Sequence, residues 1–255
     1  MPRVLKNIED IDSMSGLHLY HATVSNCSQR VRIMLEEKEL NWESHLIDFA
    51  KSEQLTEKFQ SINPAGVVPV LAHNGAIITE SNDILEYIEQ EFPSPQMGKD
   101  GQYIRSLLDL SNAVQADVKL LTFELILNKM RPFEAKNFED YAKRQGNKSL
   151  VEFHRKFAFD QVSEAEISNA ADSLSKAAIY VDTVLQKEEW LSGKAMGVAD
   201  ISWVVNGHRF YALNATMPNL LGMEPLTNFK NWFKNMSSRK SFKKGLLDYL
   251  PHMMR

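Results

Sequence analysis

The run Leu17-His18-Leu19-Tyr20 is short, apolar and bounded by polar residues, and it predicts a strand. Downstream, Cys27, Val31, Met34 and Leu35 recur at i, i+4, i+7 and i+8, the single apolar stripe of a helix over about residues 28–38. Trp42 to Phe49 predicts a second strand. A strand, a helix and a strand in so short a length make a βαβ unit, with parallel strands and a right-handed crossover. A short helix is predicted near 53–62, and Asn63-Pro64-Ala65-Gly66 breaks it. In "VVPVLAHNGAIIT" the pair Asn74-Gly75 joins two apolar runs, the strongest short-range signal of an antiparallel hairpin. Ile84, Leu85, Ile88 and Phe92 then share one side of a helix that Pro93 stops. The economical solution is a small mixed sheet covered by helices.

Residues 93–102, "PSPQMGKDGQ", read as a linker. Beyond them the period is helical over about 103–129, 163–185, 198–213 and 226–235, and 146–162 is ambiguous between helix and surface loop. The expected organisation is an N-terminal extension over 1–15, an α/β domain over 16–93, a linker over 94–102 and an all-helical domain over 103–255.

Composition narrows the partners. With 33 acidic and 29 basic side chains among 255 residues, the net charge of −4 gives no electrostatic case for nucleic acid or an anionic membrane. No apolar run has the length of a spanning helix. The first fifteen residues mix both charge signs and lack an apolar h-region, so they read as a short disordered extension and not as a secretory signal. A single cysteine makes no intrachain disulfide and fits a reducing cytoplasm. The seven histidines show no metal-site spacing, and His18 and His21 fall on opposite faces of an extended segment. No metal is expected.

Three places carry candidate chemistry. Pro69 stands where the pattern calls for strand, and proline cannot donate to a ladder. It reads either as a trans edge-strand residue without a role or as a cis proline that leaves the Val68 N–H and C=O open to an extended peptide ligand. Glu80 and Ser81 open a helix, where they either cap it or offer a counter-charge and an anion site. Ser25, Asn26, Cys27 and Ser28 occupy the first strand-to-helix turn; Ser25 reads as an N-cap, and Cys27 as an inert apolar residue or a reactive thiol. "MGVADISWV" reads as a helix start with Gly197 as N-cap and Asp200 at N3, a structural motif with glycine where a hydroxyl residue is usual.

Together, "NPAGVVPVL", "ITES" opening a helix, a linker and a helical half resemble the cytosolic glutathione S-transferases from about residue 16 onward. The arrangement Leu-Tyr, four residues, Ser-x-Cys-Ser is closest to the tetrachlorohydroquinone dehalogenase branch, which is zeta-like, and "SQRVRIMLEEKEL" is equally similar to β-etherase-like members. The resemblance implies a thioredoxin-like domain with a mixed four-stranded sheet followed by an all-α domain. It also implies glutathione as co-substrate, a hydrophobic electrophile as second substrate, a homodimer and a cytoplasmic location. Carried onto this sequence, Pro69 is the cis proline, Val68 bonds the cysteinyl unit through its backbone, and Glu80 and Ser81 hold the γ-glutamyl end. Ser25 or Cys27 then faces the glutathione sulfur, the first for conjugation and the second for thiol exchange or reductive dehalogenation. A non-catalytic binding protein of the same fold is a further alternative.

Overall fold

The structure is a computed structural model and describes residue 11, residues 14–130 and residues 133–251. The chain divides into two compact units, one that ends at Met97 and resumes at Ser237, and one from Gly98 to Met236. The first is built on β1 (Leu17–His21), α1 (Asn26–Glu37), β2 (Trp42–Leu46), α2 (Glu57–Ile62), β3 (Val70–His73), β4 (Ala76–Thr79) and α3 (Ser81–Glu91). Its mixed sheet runs β2-β1-β3-β4, with β1 and β2 parallel and the other pairs antiparallel. This is the small mixed sheet that the pattern of strands and helices predicts, in the thioredoxin-like arrangement that the resemblance implies.

The hairpin turn has φ of 48° at Asn74 and 79° at Gly75. Two successive positive values match the twist of the flanking strands, and asparagine followed by glycine adopts them at low cost. Asn74 Oδ1 also accepts the Gly16 N–H at 2.8 Å, which ties the start of β1 to the turn.

Alternation divides the sheet into two faces. Tyr20, Val70, Ala72 and Ile77 lie with Phe59 and Ile62 of α2 on one, in a cluster that Ile11 and Met14 join. Two residues of the expected extension are therefore part of a core; residues 1–10, 12 and 13 lie outside the described residues. Leu19, Leu71 and Ile78 are directed to the other face and are fully buried, as are Val31, Met34 and Leu35 of α1 and Ile84, Leu85 and Ile88 of α3.

Two strands are shorter than their apolar runs. β2 ends at Leu46, because the Asp48 side chain accepts the Ala50 N–H at 2.8 Å and caps a 3-10 turn over Phe49–Lys51. β3 begins only at Val70, with the cis Val68–Pro69 bond ahead of it. Pro69 thus stands outside the ladder in which its missing N–H would be needed.

The second unit is helical: α4 (Ile104–Ala113), α5 (Gln115–Thr122), a π turn at Phe123–Leu127 that runs into a helical turn at Asn128–Met130, α6 (Phe138–Arg144), α7 (Lys148–Ala158), α8 (Glu164–Leu185), α9 (Val198–Thr216) and α10 (Thr227–Ser237). The ambiguous stretch is settled as helix by α7. Asn147 caps it, its side chain accepting from the Ser149 and Leu150 N–H groups, and Phe153, His154 and Phe157 pack around Phe123. That stripe is aromatic and interrupted by charge, so an aliphatic periodicity does not find it.

Asp200 organises the start of α9. Its Oδ1 accepts from Leu191 N at 2.9 Å and Trp232 Nε1 at 2.8 Å, and its Oδ2 from Ser192 N at 3.1 Å and Gly197 N at 3.0 Å. Burial pushes its carboxyl up from the ordinary range, and hydrogen bonds from Trp232, Gly197, Leu191 and the Ser192 side chain only partly offset that rise. Every one of these contacts is a donor, so the site is built for the carboxylate. Gly197 lacks a cap hydroxyl because a Cβ there would stand 2.2 Å from the Gly98 carbonyl oxygen. Ser192 supplies the missing group, its Oγ accepting the Ala199 N–H at 3.1 Å. Among the described residues no helix is long and apolar enough to cross a membrane.

Within the first unit the segment from Ser237 carries α11 (Lys240–Gly245), which packs on α1. Arg239 makes a bidentate pair with Glu37, at 2.6 and 2.7 Å, and Ser241 donates to the same carboxylate. A Cβ on Gly245 would lie 2.7 Å from Ile33 N, so glycine is what allows the backbones to approach.

Candidate functional site

Strand register decides what can meet. Tyr20 pairs with Val70, and Val70 with Thr79. The exit of β1, the entry to β3 and the exit of β4 therefore lie at one end of the sheet. Ser25 and Cys27, Val68 and Pro69, and Glu80 and Ser81 all belong to segments that leave or enter the sheet there.

Ser25 is the N-cap of α1, with extended φ and ψ of −68° and 117°, and its Oγ accepts the Ser28 N–H at 3.2 Å. Acceptance leaves the hydroxyl proton available to donate. Ser28 Oγ in turn accepts the Ala22 N–H at 3.3 Å, which stitches the turn to its own helix. Cys27 is the second residue of α1 and a half-buried free thiol. The apolar stripe is fully closed at Val31, Met34 and Leu35, and Cys27 sits at its partly open end.

Val68 is buried, and among the described residues no partner satisfies its N–H or C=O. Such a backbone edge accepts an extended peptide. Glu80 is exposed and has φ of 65° and ψ of 117°, an unfavourable combination for a residue with a Cβ. Strain of that kind costs about 1–3 kcal/mol and collects at functional positions. The Glu80 side chain makes no capping bond. Ser81 is buried, and its Oγ accepts from Arg30 Nη1 at 3.1 Å.

That bond brings in residues the sequence reading did not select. Arg30 is buried on α1; burial lowers its pKa, and the neighbouring Cys27 opposes the shift. Arg32 is also buried, lowered by burial to about 10, so it keeps its charge at neutral pH. Its Nη1 donates to Ala22 O at 3.0 Å and to His21 Nδ1 at 3.1 Å, and its Nη2 to Thr23 O at 3.1 Å. Its Nε donates to Gly245 O at 2.7 Å, and the Tyr249 ring covers the guanidinium with its centre 4.0 Å from Cζ. Because His21 Nδ1 accepts from Arg32, its proton is on Nε2, which donates to Ser44 Oγ at 2.7 Å. Burial, with Arg32 beside it, holds His21 down to about 3, so the ring is neutral throughout the physiological range. One guanidinium thus fixes the two carbonyls that lead into Ser25. The signal lay in "SQRVRIM", where two arginines flank Val31 on a helix whose other side must also be covered.

The end of the sheet therefore presents a hydroxyl at a helix start, a partly open sulfur, an unpaired backbone edge, an exposed carboxylate and a buried serine backed by a guanidinium. Helix starts favour anions through their unpaired N–H groups, and α1 and α3 both begin here.

Comparison with known proteins agrees with the architecture. Residues 19–96 match the family described as glutathione S-transferase, N-terminal domain. "Glutathione S-transferase 1" of Dianthus caryophyllus is 36% identical over 113 residues, which cover 44% of this chain and 51% of that protein. The chain thus spans about half the length of that relative. "Glutathione S-transferase TCHQD" of Arabidopsis thaliana is 25% identical over 72% of this chain and 73% of its own. Among solved structures, the β-etherase LigF from Sphingobium sp. strain SYK-6 superposes with a TM-score of 0.74 at 23% identity, covering 90% of this chain and 98% of that one. Fold and motifs define a thioredoxin-like domain joined to helices. Residues 19–96 thus carry the N-terminal domain of the glutathione S-transferase family, and the chain as a whole shares the fold of the β-etherase.

Proposed function

We propose that this chain is a glutathione S-transferase that binds glutathione at the end of the sheet and activates its thiol for attack on an apolar electrophile. The observation that carries the reading is the Ser25 hydroxyl, held at the start of α1 with its proton available, at the same sheet end as the unpaired backbone of Val68. In this reading Val68 bonds the cysteinyl unit beside Pro69. Glu80 faces the γ-glutamyl ammonium, and Ser81 with the N–H groups of α3 takes the carboxylate. A free thiol has a pKa of about 8.5, so little is ionised at neutral pH. Donation from Ser25, helped by the helix start, stabilises the thiolate; a depression of about two units corresponds to roughly 2.7 kcal/mol and makes the anion the major form. The thiol proton leaves to solvent, the sulfur forms a bond to the electrophilic carbon, and that carbon expels its leaving group or, in an addition, passes an electron pair to the adjacent atom, which takes up a proton. The reading carries with it a cytoplasmic homodimer, on the strength of the family.

A second reading rests on Cys27, a half-buried free thiol beside buried Arg30. There the Cys27 thiolate attacks the sulfur of a glutathione disulfide or of a glutathione–substrate conjugate, expels the other group, which takes up a proton, and is left as a mixed disulfide that a second glutathione reduces; the chemistry is thiol exchange or reductive dehalogenation.

Kinetics with an activated aryl halide separate the two. Ser25→Ala should slow conjugation by about 10- to 150-fold, the equivalent of about 1.5–3 kcal/mol for a hydrogen bond to a charged group, with glutathione binding largely kept. Cys27→Ala should leave conjugation nearly intact and abolish disulfide exchange. The reverse pattern moves the chemistry to Cys27, and indifference to both changes leaves the turn a helix cap. Calorimetry with glutathione tests the binding half. Glu80→Gln should weaken affinity by about 2 kcal/mol, roughly 30-fold and the low end for a lost charge partner, because Glu80 is exposed before the ligand covers it. Unchanged affinity removes Glu80 from the site.

A further inference from the structure

His18 of β1 and Glu43 of β2 stand opposite each other in the parallel register, and His45 pairs with Tyr20 one step along. All four side chains share the face of the sheet opposite His21. His18 Nδ1 and His45 Nε2 are 3.0 Å apart. Glu43 Oε2 is 3.6 Å from His18 Nδ1, and its Oε1 is 3.9 Å from His45 Nε2. Three donor atoms from three residues therefore fall within 4.8 Å of one another.

We propose that His18, Glu43 and His45 form a binding site for a divalent first-row transition ion of the zinc type. Two atoms each about 2.1 Å from one tetrahedral ion stand about 3.4 Å apart, so the ring nitrogens need part by only a few tenths of an ångström. The surroundings direct the His18 lone pair inward. His18 Nε2 lies 3.1 Å from the Ser15 carbonyl oxygen, which can only accept, so the proton is on Nε2 and Nδ1 is free to ligate. The Tyr20 ring stacks on His45 with centroids 4.4 Å apart and planes 16° off parallel, which fixes the second imidazole. In the metal-free state a proton on His45 Nε2 bridges to His18 Nδ1, and an ion replaces that proton. Imidazole and carboxylate together select zinc, nickel or copper over magnesium and calcium. Glu43, with a side chain 67% exposed, opens the site to solvent, and three protein ligands leave a position for water. Lys58 of α2 is the nearby cation that opposes the ion's charge. The site lies across the sheet from His21 and Arg32 and requires nothing of the glutathione reading.

The test uses untagged, metal-stripped full-length protein titrated with Zn²⁺ in a calorimeter and with Co²⁺ as an optical probe. One ion per chain should bind, with visible d–d bands of nitrogen and oxygen ligation, and excess Zn²⁺ should raise Tm. Mg²⁺ should do neither. Glu43→Gln should weaken Zn²⁺ at least tenfold and His45→Ala should abolish the bands, both retaining the far-UV circular dichroism of the parent. Absence of binding by the parent protein, equal affinity in a folded His45→Ala variant, or a thiolate charge-transfer band that places the ion on Cys27 would each overturn the proposal.

Discussion

Replacing Asp200 with alanine is expected to remove about 3–5 kcal/mol of stability, a large share of the 5–15 kcal/mol typical of a folded domain. Asp200 is fully buried, and both its oxygens accept two N–H groups each. Alanine strands three backbone donors and the Trp232 indole at once. Each buried donor left unpaired costs about 1–3 kcal/mol, and water admitted into the space recovers part of the sum. Urea unfolding at neutral pH reads the effect as a lower midpoint. Asp200→Asn should fall between the two, since one oxygen survives and the amide introduces a donor among donors. A loss below about 1 kcal/mol for the alanine variant would show that the network is dispensable, against the general cost of buried unpaired groups.

The second large effect is expected at Arg32. Arg32→Lys keeps the charge but replaces a planar fork of donors by a single ammonium, which cannot reach Ala22, Thr23, His21 and Gly245 together. We expect a loss of about 2–4 kcal/mol, the scale of a broken buried network. The same change should lower turnover with an aryl halide at least tenfold while glutathione affinity holds within a few-fold. Arg32 touches none of Val68, Glu80 and Ser81, yet it fixes the carbonyls just before Ser25. It is a positioning residue in this account. Wild-type turnover in a destabilised Arg32→Lys variant would confine it to a structural role.

The order of elements in the first unit was legible because each depends on signals within its own segment: the stripe from Val31 to Leu35, the Asn74-Gly75 turn, the alternation of β3 and β4. The motifs proposed as the site were selected for the same reason, being short and placed at element ends. What escaped depends on residues remote in sequence. Periodicity compares a histidine with neighbours on its own strand, so His18 was weighed against His21 and never against His45, which parallel pairing brings beside it. Arg30 and Arg32 escaped because burial of a guanidinium requires acceptors that the helix does not supply; these come from Ser81, Ala22, Thr23 and Gly245. α7 escaped because its buried side is aromatic.

The bond from Arg32 to Gly245 spans 213 positions. A piece of this chain cut at Met97 contains every residue of the proposed site and all four strands. It would still lack the Gly245 carbonyl, the Tyr249 ring and the Arg239 clamp on Glu37, leaving a guanidinium in the interior short of its acceptor and its cover. The familiar thioredoxin-like module is thus not a detachable part here, and an excised or grafted version of it needs the residues around 239–249 supplied in trans or by fusion.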